Sequence, residues 1–112
     1  MKNPNHLQIP FRPQFKEVLL SGAKTMTSRT KRYGHVGSRF WAFSQCFEIT
    51  EIRKLLVRDV AKNHFKEEGF ESPQGFLDIW AELHPSKGRD IDAPVFSHIF
   101  KKVVPHEAEA KT

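Results

Sequence analysis

Phe40-Trp41-Ala42-Phe43-Ser44-Gln45-Cys46-Phe47-Glu48-Ile49-Thr50-Glu51-Ile52-Arg53-Lys54-Leu55-Leu56-Val57 carries most of the strand-forming residues in the middle of the chain. Aromatic and β-branched side chains suit a pleated, half-buried surface, so the stretch reads as two strands, Phe40 to Phe43 and Phe47 to Val57. Their alternation fails after Ile49, which calls for a bulge or for burial of both faces. From Asp59 the period changes. Leu56, Val60 and His64 are four apart and Gly69 offers a stop, which predicts a second helix ending near Glu68. Ser72 before Pro73 is an N-cap followed by proline at the first helical position. Phe76, Ile79, Trp80 and Leu83 then form the apolar stripe of a third helix closed by Pro85. Val95 to Val104 predicts a last strand with Phe96, His98 and Phe100 on one face.

Toward the N-terminus, Gly34 and Gly37 place a turn between Lys31 and Arg39, and Thr25 to Arg29 reads as a short strand. Phe11, Phe15, Val18 and Leu19 recur at helical spacing and close at Gly22, a first helix, and Leu7 to Phe11 reads as a short strand before it. Strands surrounding a helical insertion predict an α+β fold with a small, mostly antiparallel sheet or barrel and about three flanking helices. A chain of 112 residues fits one domain. No repeat or linker divides residues 1–112. The ordered core is expected over about 7–104, with loose ends at Met1 to Asn5 and Pro105 to Thr112.

Lysine and arginine total 18 against 13 acidic residues, a net charge of +5, which makes a polyanionic partner a natural candidate. Cys46 is the single cysteine, too few for an intrachain disulfide or a cysteine zinc site. A reducing compartment, the cytoplasm, is the simple reading. Cys46 itself reads as a small core residue. His6, His35, His84, His98 and His106 show no zinc spacing, so no metal and no cofactor are expected. No apolar run approaches the roughly 20 residues that a membrane helix needs, and no membrane association is expected.

Lys24, Arg29, Lys31, Arg32 and Arg39 fall in one stretch, 24–39, that holds no aspartate or glutamate. Tyr33, Phe40 and Trp41 are interleaved with them. Stacking beside phosphate neutralisation is how single-stranded nucleic acid is commonly held; the bland alternative is a solvated basic loop whose aromatics belong to the core. Within the same stretch Lys24-Thr25-Met26-Thr27-Ser28-Arg29 is dense in hydroxyls between two cations. A desolvated lysine can serve as the base that activates a threonine hydroxyl. An ideal strand, however, sends Lys24 and Thr27 to opposite faces, so that chemistry requires a turn or bulge here. His64 and Glu68, four apart, are expected to point into one pocket.

Taken together, Ser21-Gly22-Ala23-Lys24-Thr25-Met26-Thr27-Ser28-Arg29, then Gly34-His35-Val36-Gly37, then His64-Phe65-Lys66-Glu67-Glu68-Gly69-Phe70 resemble the ASCH domain family, small PUA-like domains. The resemblance runs from about Leu7 to Phe100. It implies a PUA-like β-barrel with helices outside it and a general link to RNA binding. In a small bacterial subgroup that hydrolyses the amide of acetylcytidine, the matching positions are Lys24, Thr27 and Glu68. The implied roles are base for Lys24, nucleophile for Thr27, and positioning or stabilisation of the reacting group for Glu68. The chain departs from that subgroup in its longer basic stretch, Thr30 to Tyr33, and in Ser28, which stands where the subgroup has an apolar residue. The resulting expectation is an RNA- or nucleotide-binding domain whose basic cleft uses Lys24, Arg29, Lys31, Arg32, Tyr33 and Arg39, with Ser28 and His64 as further pocket residues. The alternatives are an amidohydrolase acting on a modified nucleoside, and a protein-interaction adaptor. A monomer is expected.

Overall fold

Four strands build a sheet that is curled into a half-barrel. In the computed structural model, which describes residues 7–86 and 89–104, β1 (Met26–Arg29), β2 (Arg39–Ala42), β3 (Gln45–Leu56) and β4 (Pro94–Val103) pair antiparallel in the order β1-β4-β3-β2. Three helices flank it: α1 (Lys16–Ser21), α2 (Val57–Asn63) and α3 (Pro73–Leu83). His6, His106 and the ends expected to be loose lie outside the described residues, and among the described residues no helix is long and apolar enough to cross a membrane.

The broken alternation in β3 is a bulge. The β3–β4 register shifts between Ile49 and Glu51, so Ile49 faces Phe100 and Ile52 faces His98. The extra residue, Thr50, lets Ile49 and Ile52 reach the same side of the sheet despite their odd spacing. That side holds an aromatic cluster in which Phe40, Phe47 and Phe100 pack with ring centroids 5.3 Å apart, covered by Leu19 of α1. A second cluster joins Met26 and Val95 to Val57, Val60 and Ala61 of α2 and to Phe76 and Trp80 of α3. Cys46 is buried. Between β2 and β3 the turn is only Phe43 and Ser44, with φ of 51° and 65°, a two-residue hairpin in the left-handed region without glycine or asparagine.

α3 begins as its sequence predicts, with Ser72 Oγ accepting the Gly75 N–H at 3.0 Å and Pro73 at the first position. Three expectations need correction. Leu7 to Phe11 makes one parallel bridge, Leu7 to Phe40, and leaves the sheet where Pro10 has no N–H to offer. The first helix is shorter than its spacing suggests: Pro13–Phe15 is a 3-10 turn and the α-helix starts only at Lys16, ending at Gly22 with φ of 87°. The second helix stops at Asn63, and His64 is its C-cap with a non-helical φ of −134°. Glu68 therefore sits in the following turn. That turn keeps one helix-like bond, Glu68 N–H to the His64 carbonyl at 3.0 Å, which is why the four-residue spacing runs on past the helix.

Candidate functional site

β1 is an edge strand, and its exposed edge is met by the turn after α2. The N–H groups of Thr25 and Met26 both donate to the Glu67 carbonyl, at 2.8 and 3.0 Å, which fixes the next residue, Glu68, beside the strand. Gly69 makes this approach feasible. Its φ is +94°, and a Cβ there would lie 3.2 Å from Lys24 Cβ and 3.3 Å from Val18 Cγ2.

Lys24 and Glu68 are 3% and 4% exposed. Lys24 Nζ donates to the Glu68 carbonyl at 2.8 Å and to its Oε1 at 3.0 Å, and lies 5.1 Å from the centre of the Phe15 ring. Ser28 Oγ donates to Glu68 Oε2 at 2.6 Å. Ser28 has one proton, already committed, so Ser97 Oγ, 2.7 Å away and directly opposite in the β1–β4 register, donates to Ser28. The result is a directed chain from Ser97 through Ser28 to Glu68, closed on the far side by Lys24. Burial pulls the Lys24 ammonium below its ordinary range; Glu68 opposes this and Arg29 adds to it.

Thr27 leaves β1 on the face opposite its neighbour Ser28, but Lys24 precedes the strand and escapes its alternation, so Lys24 and Thr27 line one cavity despite their odd spacing. Thr27 Oγ1 accepts from Arg29 Nε at 3.1 Å, and Arg29 Nη2 donates to the Pro10 carbonyl at 2.8 Å. The guanidinium lies 5.0 Å from the Phe11 ring centre and 5.8 Å from that of Tyr33. His98 ties the backbone together behind this wall. Its Nδ1 donates to the Thr27 carbonyl at 3.1 Å and its Nε2 accepts the Tyr33 N–H at 2.9 Å, an arrangement that only the neutral ring can make.

These groups share a cavity of about 440 Å³ lined by Lys24, Thr27, Ser28, Glu68 and Arg29, by Lys31 and Tyr33 from the basic stretch, and by Phe15, Phe70, Phe76, Trp80 and His84. Its size falls in the range of small-molecule sites. Buried Lys24 and Glu68 form the floor, and exposed Lys31 stands at the rim. His84 stacks on Trp80 at 3.9 Å, and its Nδ1 bonds the Trp80 carbonyl at 3.0 Å; a carbonyl only accepts, so in the neutral ring Nε2 is left as an acceptor.

Of the sequence-predicted residues, the cavity gathers Lys24, Thr27, Ser28, Arg29, Lys31, Tyr33 and Glu68. Three are elsewhere. His64 bonds Glu67 at 3.0 Å, away from Glu68's carboxylate; Arg39 pairs with Glu48 at 3.1 Å; Arg32 donates to the Gly34 carbonyl. The absence of nearby acids in sequence does not survive folding for Lys24 and Arg39, whose carboxylates come from residues 44 and nine positions away. Ser97, His98 and His84 went unforeseen as site residues. His84 carried a signal, because it follows Trp80 by four on the stripe of α3. Ser97 carried none.

No family model matches the chain, and no curated protein matches it in sequence. A solved structure of hypothetical protein PH0355 superimposes with a TM-score of 0.65 over 83% of this chain and 94% of that one, at 12% identity, which is a likeness of fold alone.

Proposed function

We propose that the cavity receives the base of a nucleotide or of a single-stranded RNA segment. The observation that carries this reading is one cavity lined both by aromatic rings, Phe15, Phe76 and Trp80, and by two cations, Arg29 and Lys31. A planar base buries apolar faces against aromatic rings, and His84 Nε2 offers an acceptor to an exocyclic amine. Trp80 makes the reading testable. Titration with short single-stranded RNA or with nucleosides should quench its fluorescence, measured in a Trp41→Phe background so that one indole reports. Unchanged emission together with no binding heat in calorimetry overturns the reading.

A second reading, hydrolysis of an acyl group from the exocyclic nitrogen of a cytidine derivative, is favoured by Lys24, Thr27 and Glu68 sharing that cavity and by burial that favours a neutral Lys24. Thr27 Oγ would attack the carbonyl carbon, giving its proton to Lys24. The C–N bond would break as the amine takes a proton, and water would then release the acid from the threonine ester. Lys24 must first turn from Glu68 toward Thr27. Incubation with acetylcytidine tests this: cytidine release by the wild type and none by folded Thr27→Ala supports it, and no release by the folded wild type removes it.

A further inference from the structure

We propose that the cavity selects a terminal phosphate monoester, so that its ligand is a nucleoside monophosphate or a phosphorylated RNA end rather than a bare nucleoside or an internal phosphodiester. This rests on the base-pocket reading and adds the group that accompanies the base.

The argument is one of charge and donor count. Among the described residues lining the cavity, the charged groups are Arg12, Lys24, Arg29, Lys31 and Glu68. Glu68 is matched by Lys24 at 3.0 Å, and Arg12 is matched by Glu82 at 3.1 Å. Arg29 and Lys31 remain, and among the described residues neither has a carboxylate within 4.0 Å. Both line the cavity and both stand close to one ring, Tyr33, with the Arg29 guanidinium 5.8 Å and the Lys31 ammonium 5.2 Å from its centre, which makes them the candidate pair for one ligand group. Two positive charges facing one group call for a dianion. A phosphate monoester carries close to two charges near neutral pH; a diester carries one and a nucleoside none.

Arg29 is also pre-organised for the task. Two of its five N–H donors are committed, one to Thr27 and one to the Pro10 carbonyl, and Phe11 and Tyr33 lie beside it. The Tyr33 side chain also engages the guanidinium, and the donors still open lie in one fixed plane, the arrangement that can engage two oxygens of a phosphate at once. Thr30, between the two cations and also lining the cavity, adds a hydroxyl. Half-burial makes the guanidinium harder to hydrate, which strengthens its pairing with an anion; burial lowers its pKa, with Tyr33 and Glu68 opposing.

The experiment is a set of calorimetric titrations of the intact protein with four probes sharing one base: the nucleoside, its 5′-monophosphate, the methyl ester of that monophosphate, and inorganic phosphate as a reference. The set is repeated for each of the four common bases. The expected result is binding of the monophosphate at least tenfold tighter than either the nucleoside or the methyl ester for at least one base. Arg29→Gln and, separately, Lys31→Ala should each reduce that ratio at least threefold. Lys31 is exposed, so its variant keeps the test decisive if Arg29→Gln fails to fold. Equal affinity for nucleoside and monophosphate overturns this inference and leaves the base pocket standing. Equal affinity for monoester and methyl ester overturns the dianion. A monophosphate preference unchanged in both folded variants overturns the assignment to Arg29 and Lys31, and no binding by any probe overturns the pocket reading itself.

Discussion

The two ends of the stretch Lys24 to Lys31 treat positive charge in opposite ways. Lys24 is buried and bound twice by Glu68, within a hydroxyl chain that leaves no buried side-chain polar atom unpaired among the described residues. Arg29 and Lys31 keep donors that no carboxylate among the described residues occupies. The lesson is that density of basic residues does not measure a binding surface. One cation holds β1 to the turn after α2, and the others, a few residues away, have no carboxylate partner among the described residues.

The largest expected effect comes from the closed end. Glu68→Ala leaves Lys24 buried without its carboxylate and should destabilise the protein by about 3–5 kcal/mol in urea unfolding. Replacing both partners, Lys24→Met with Glu68→Leu, should restore most of that loss. A loss under about 1 kcal/mol in the single variant breaks the contrast between the two ends. Next, Ser97→Ala removes the donor to Ser28 while Ser28 keeps Glu68, and should cost about 1 kcal/mol in the same measurement.

A smaller effect, one of slope, belongs to His98. Its own burial lowers its affinity for a proton, opposed by the Thr27 carbonyl and reinforced by Arg29. Its pKa is thus depressed in the folded protein from the ordinary 6.5. As pH falls through 6.5 the unfolded chain takes up the proton first. The His98 contribution is therefore complete above that pH and is lost below it, toward the folded value, at no more than about 1.4 kcal/mol per pH unit. Urea melts between pH 7.5 and 5.5 should show a flatter dependence for His98→Gln than for the wild type; equal slopes remove His98 as the source. The smallest effect is expected at the open end, where Lys31→Ala should shift stability by no more than about 0.5 kcal/mol in urea unfolding. A larger loss places Lys31 with Lys24, in the structural group.

Local patterns were legible and distant pairings were not. The bulge after Ile49 shows in the sequence because it disturbs a two-residue period over a few positions, and the cap at Ser72 because its chemistry is complete within four residues. The second helix was overextended because hydrogen bonding at His64 continues the four-residue spacing after the backbone has left the helix. Ser28 and Ser97 illustrate the opposite limit: separated by 69 positions, they meet only through the β1–β4 register, which neither residue encodes alone. The convergence of Lys24 with Glu68 is legible only when the four-residue spacing from Leu56 to Glu68 is joined to the family resemblance, and that spacing places Glu68 on a helix that it does not occupy.

The Phe43–Ser44 turn has a bearing on how this protein tolerates change. A serine at φ of 65° occupies a conformation that disfavours any side chain with a Cβ, by about 1–2 kcal/mol for a non-glycine residue. Glycine at this position would relieve that penalty, offset in part by its freer unfolded chain. The hairpin is not part of the cavity wall, so the gain would come without altering the groups that line the cavity. The turn is thus a natural place for a suppressor, a reserve from which the domain can compensate damage while its cavity is remodelled.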